Sequence, residues 1–122
     1  IIGVVPDILV ERNRVSALLD EHIPCRNLSE RKDIMLEKSD VLIALPGGIG
    51  TLDEIFHVVA AATIGYHNKR VVLYNVNGFW DSLLETLDKY NASGFIRGEI
   101  TRFMLVADNI EELEKIIEGA VE

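Results

Sequence analysis

The chain has 122 residues, 48% hydrophobic and 26% charged, enough apolar material for one domain with a real core, which excludes a mainly disordered chain. Lys and Arg number 12 against 20 Asp and Glu, a formal net charge of -8 that repels phosphate backbones, so nucleic acid is excluded as a generic partner and an anionic ligand needs a local, preorganised pocket. The single cysteine, Cys25, cannot close an internal disulfide, no Cys/His cluster has zinc spacing, and no apolar run nears the roughly 20 residues of a membrane helix. These features point to a cytoplasmic domain without a membrane segment or a metal.

In chain order, the sequence opens without Met on Ile1-Ile2-Gly3-Val4-Val5, a buried-strand pattern, and reads as the remainder of a longer protein. Ser29-Glu30-Arg31-Lys32-Asp33 predicts a helix capped by Ser29, with Arg31 and Lys32 in its first turn, closed by Ser39-Asp40. Residues 41–45 and 71–74 are unbroken β-rich runs, expected as central parallel strands covered on both faces, and 103–106 is a further strand. Residues 51–64 predict a helix apolar on nearly every side, suited to a core or to another subunit, ended by Gly65. Residues 81–90 predict a surface-packed helix on Leu83, Leu84 and Leu87. In 109–121, Ile110, Leu113, Ile116 and Ile117 form the apolar stripe while Glu111 and Glu112 suit the helix dipole. Strand and helix alternate as βαβ, with no internal repeat or long linker, so residues 1–122 are assigned to one α/β domain.

The informative stretch is Leu45-Pro46-Gly47-Gly48-Ile49-Gly50-Thr51-Leu52-Asp53-Glu54, which follows a strand and opens a helix, where backbone N–H groups and the dipole attract anions. Gly47, Gly48 and Gly50 allow close approach of a ligand, and Thr51 can cap the helix while reaching a phosphate oxygen. A nucleoside-triphosphatase loop would need Lys before Thr51, and a dinucleotide loop a glycine at Asp53, so neither chemistry is supported. A tight turn without ligand is the plain alternative. Asp53 reads as a complement to the dipole, whereas Glu54 sits one turn into an apolar helix, where an ionised group needs a partner or a substrate.

The run Pro46-Gly47-Gly48-Ile49-Gly50-Thr51-Leu52-Asp53-Glu54, with Arg31-Lys32 ahead of it, resembles the Pro-Gly-Gly-x-Gly-Thr-x-x-Glu signature of the LONELY GUY family of cytokinin riboside 5′-monophosphate phosphoribohydrolases. Gly65-Tyr66-His67-Asn68-Lys69 and Asn75-Val76-Asn77-Gly78-Phe79-Trp80 extend the resemblance. It implies a Rossmann-like three-layer α/β fold with a parallel sheet, of which residues 1–122 are the C-terminal two-thirds and further strands precede Ile1. It also implies a homodimer, formed through the 51–64 helix, and cofactor-free cleavage of a nucleoside 5′-monophosphate to free base and ribose 5-phosphate. By position, Arg31 and Glu54 match the catalytic pair, while Lys32, Gly47, Gly48, Gly50 and Thr51 match the substrate-binding positions. Relatives labelled lysine decarboxylase would need a Schiff-base lysine and a partner for the pyridine nitrogen, and no Lys here is so placed. Leu28-Ser29, Ile49 and Asp53 depart from common family residues and leave the choice of base open.

Plainer roles stand beside these. Arg31 could pair with Glu30 or Asp33 on the surface, and Glu54-x-x-His57 has a spacing used by di-iron bundles, a reading that the βαβ pattern disfavours. His22 and His67 read as surface-loop residues, Cys25 as a small buried hydrophobe, and Phe79 and Trp80 as packing or subunit contacts rather than base-stacking platforms. Against the hydrolase stand a nucleotide-sensing module without turnover and a purely structural domain.

Overall fold

Apolar runs bounded by turn residues become parallel strands in the computed structural model, which describes residues 2–121 and divides into two compact units, within residues 1–39 and 40–122. In the first unit, β1 (Ile2–Pro6) pairs in parallel with β2 (Glu21–Cys25), Ile2 opposite Glu21 and Pro6 opposite Cys25. A five-residue helix, α1 (Asp7–Glu11), leaves β1 directly with Pro6 at its N-cap. Neither α1 nor β2 is signalled by the sequence. Pro24 demotes a strand because it offers no N–H to a ladder, yet it is accepted in β2, which has β1 as its one partner in this pair. His22 therefore lies at an exposed strand position, not in a loop.

The next helix, α2 (Leu28–Lys38), starts earlier than expected. Asn27, not Ser29, is its cap: the Glu30 N–H donates to Asn27 Oδ1 at 2.8 Å. An Asn two residues upstream satisfies the same orphan donors, so Ser29 is absorbed into the first turn. The far end closes at Ser39, as expected, with Ser39 Oγ donating to the Met35 carbonyl at 2.6 Å.

In the second unit, β3 (Leu42–Ala44), β4 (Val71–Tyr74) and β5 (Met104–Ala107) form a parallel sheet in that order. β4 is the fully covered strand that its unbroken apolar run predicts, with Val72 and Leu73 at 0% exposure. β3 is not. It has one neighbour in this sheet, and Ile43 is 38% exposed, because an edge position leaves apolar side chains uncovered within the unit.

Three helices serve this sheet: α3 (Ile49–Thr63), α4 (Asp81–Ala92) and α5 (Ile110–Val121). α5 buries Leu113 against Val72 and Ala107 with Ile116 and Ile117 beside it, as its pattern predicts, whereas Ile110, the first member of the stripe, is 51% exposed at the start of the helix. Asn109 Oδ1 accepts from the Glu112 N–H at 2.9 Å to begin the helix. α3 ends at Gly65, whose φ of +88° lets the Gly65 N–H reach the Ala62 carbonyl and the Tyr66 N–H the Ala61 carbonyl. That paired closure satisfies two terminal carbonyls and favours glycine at this position.

Between β4 and α4, the buried Asn75 ties the turn together. Its Oδ1 accepts from the Trp80 N–H at 2.7 Å and its Nδ2 donates to Asp81 Oδ1 at 2.8 Å. Trp80, 3% exposed, is core packing, with Phe79 edge-on to it at 4.8 Å. Asn75→Ala strips the buried Trp80 N–H of its acceptor, so urea unfolding is expected to show a loss of about 2 kcal/mol. A loss under about 0.5 kcal/mol, the scale of an ordinary surface change, would contradict this role.

Candidate functional site

The turn that follows β3 feeds directly into α3, and its geometry differs from expectation in one respect. The helix begins at Ile49, with Gly48 as N-cap and no side chain accepting from the first turn. Thr51 is therefore the third helical residue and not the cap. Its side chain instead folds against Gly47, where an added Cβ would collide with Thr51 Oγ1. Because the helix starts two residues earlier, Asp53 falls beyond the first turn, exposed, and is not the dipole complement that the sequence suggests.

Gly48 and Gly50 have different surroundings from Gly47. A Cβ at either would meet nothing within 4 Å, and neither holds a left-handed backbone. The fold's own packing does not demand them. The first N–H groups of a helix lack intrahelical acceptors, and here no capping side chain takes one, so a 15-residue helix presents its positive end at an open surface. Helical spacing sets half-buried Glu54 above Gly50 and Thr51, since side chains tilt towards the N-terminus and meet residues three and four positions back. His57 follows one turn later on the same face. Among the described residues, no three His, Cys, Asp or Glu side chains assemble as a metal site.

Arg31 and Lys32 belong to the first unit, on α2, and both are half-buried. Arg31 Nε donates to the Val4 carbonyl of β1 at 3.0 Å, which fixes the base of the guanidinium. Glu30, one of the two surface partners that the sequence offers Arg31 beside Asp33, makes a 2.8 Å ion pair with Arg26. Burial pushes the Cys25 thiol up, Glu30 and Asp7 add to the shift, and Arg31 opposes it. Such a thiol is a poor nucleophile. At 2% exposure, it is expected to react with a thiol reagent at pH 8 at least about tenfold more slowly than the unfolded chain; equal rates would contradict its burial. Its raised value favours the native state below the ordinary thiol range, a contribution lost as pH rises through the folded-state value.

Parallel strands alternating with helices, and a glycine turn at the carboxyl end of a strand leading into a helix, define a Rossmann-like α/β protein. The chain belongs to the family described as possible lysine decarboxylase, whose model matches residues 1–117. It is similar to a probable cytokinin riboside 5′-monophosphate phosphoribohydrolase, LOG4 of Oryza sativa subsp. japonica, at 39% identity over 98% of this chain and 53% of that protein. It is also similar to the cytokinin riboside 5′-monophosphate phosphoribohydrolases LOG4 and LOG1 of Arabidopsis thaliana, each 38% identical, over 97% and 99% of this chain and 55% and 57% of those proteins. The chain thus spans about half the length of the curated relatives it matches. The LONELY GUY resemblance stands on these matches, and the activity in the relatives' names is glycosidic, not decarboxylating.

Proposed function

We propose that the protein carrying this chain cleaves the N-glycosidic bond of a nucleoside 5′-monophosphate, a cytokinin riboside monophosphate or an AMP-like nucleotide, giving free base and ribose 5-phosphate. One observation carries the reading: two glycines with open space around them, at the uncapped start of α3, on the same helix as a half-buried carboxylate one turn further on. The amides of residues 49–51 take the phosphate and Thr51 supports them. As the bond to the base breaks, positive charge grows on C1′ and O4′ of the ribose. A carboxylate at Glu54 stabilises that charge more than it stabilises the substrate, and it can also orient the attacking water or hold ribose hydroxyls. Arg31 grips phosphate or steadies the departing base through its Nη atoms, with Lys32 beside it.

The reading treats residues 1–122 as part of one Rossmann-like nucleotide-binding domain of a cytoplasmic enzyme, and a net charge of -8 favours a small nucleotide over nucleic acid. It includes a homodimer through α3. Ile49, Phe56, Ala60 and Ile64 are exposed at spacings of seven, four and four residues, an apolar stripe opposite the buried Ile55, Val58 and Val59. A second copy of the same helix would cover it. Incubation of the intact protein with AMP or an N6-substituted analogue tests the activity. Free base is the expected product, whereas saturable binding without base release would assign the protein to nucleotide sensing.

A further inference from the structure

Two cavities of the second unit open at the amino ends of its strands, the end opposite the glycine turn. The smaller, about 360 Å³, is lined by Lys69 and Arg70, which precede β4, and by Arg102, which precedes β5. The larger, about 630 Å³, shares the 67–70 turn and extends to Lys115 and Asp40. In a chain where acids outnumber bases 20 to 12, four cations and one carboxylate line this joined space.

Helix ends offer the plain explanation, since α3 and α5 finish at this edge with no basic residue in either last turn. Each helix C-terminus is worth about half a negative charge, so the two account for about one unit of the excess. With Asp40 and the helix ends set against Lys69 and Lys115, the two guanidinium groups of Arg70 and Arg102 remain.

The cations are also held by rigid elements. His67 uses both ring nitrogens: Nε2 donates to the Val58 carbonyl at 3.0 Å, and Nδ1 accepts from the Lys69 N–H at 2.9 Å, an arrangement that fits the neutral ring and binds the turn to α3. His67 is therefore a buttress rather than a loose surface residue. The Arg70 carbonyl accepts from the Leu42 N–H, and the next residue's N–H reaches the Phe103 carbonyl, fixing Arg70 between β3 and the start of β5. Arg102 lies over the buried Phe103 ring, 5.9 Å from its centre.

We propose that this cleft is a second anion site, in which Arg70 and Arg102, supported by Lys69, take the phosphate group of a small phosphorylated metabolite. Its volume lies within the range of ligand pockets, and paired guanidinium groups match phosphate geometry. The site shares no residue with the glycine turn, so the two readings stand or fall separately.

Titration of the intact, ¹⁵N-labelled protein with inorganic phosphate distinguishes them residue by residue. The amides of 68–70 and 103 are expected to shift saturably, and the double variant Arg70→Ala/Arg102→Ala should raise the Kd read there at least about tenfold. Responses at 48–51 should be unchanged in that variant. The Arg70→Lys/Arg102→Lys variant controls for folding: it retains the charges, and an intermediate Kd is expected. Absence of saturation at 68–70 in the wild type, or an unchanged Kd in the double alanine variant, overturns the site. Silence at 48–51 alone counts against the glycine turn and leaves this proposal standing.

Discussion

Glu54→Gln is expected to slow base release from a nucleoside 5′-monophosphate by about 10²–10³-fold, the usual cost of removing one group aimed at transition-state charge. The loss should fall on kcat and on kcat/KM alike, because the carboxylate acts on charge that exists only as the bond breaks. Gln keeps the shape of the side chain at this half-buried position on α3, so thermal unfolding should move by no more than about 5 °C. Undiminished release from the variant would remove Glu54 from the chemistry. A rise in KM with kcat intact would assign it to holding the ribose instead.

Gly50→Ala should act in opposite directions on stability and on binding. A Cβ at this position meets no atom of the protein, and alanine is the better helix former, so the fold should gain about 0.5–1 kcal/mol. The same methyl group would occupy space above an amide that the phosphate must approach, and nucleotide affinity should fall at least about tenfold. Gly47→Ala provides the contrast, since its Cβ would collide with the Thr51 side chain and should reduce both quantities. If Gly50→Ala keeps full affinity, the glycine serves no ligand.

How far the sequence revealed the molecule depended on whether each signal was local. β4, α5 and the stop at Gly65 were legible because an unbroken apolar run, an apolar stripe and a glycine each state their own structure. β2 was hidden, since Pro24 argues against a strand and only pairing with β1 overrides it. Both helices begin earlier than Ser29 and Thr51 suggest, because competing caps at Asn27 and Gly48 differ by a fraction of a kcal/mol in isolation and are decided by the chain leading into them. At the site, the glycine turn and Glu54 could be read from nine consecutive residues. The cationic cleft could not. Arg70 and Arg102 are far apart in sequence and meet only because β4 and β5 run side by side in the same direction.

A crystal structure of the intact Glu54→Gln protein soaked with AMP is the most direct measurement. The phosphate should lie within hydrogen-bond distance of the amides of residues 49–51, with C1′ of the ribose facing the side chain at position 54. A nucleotide bound with its phosphate elsewhere, or with residue 54 turned away from C1′, would contradict the account.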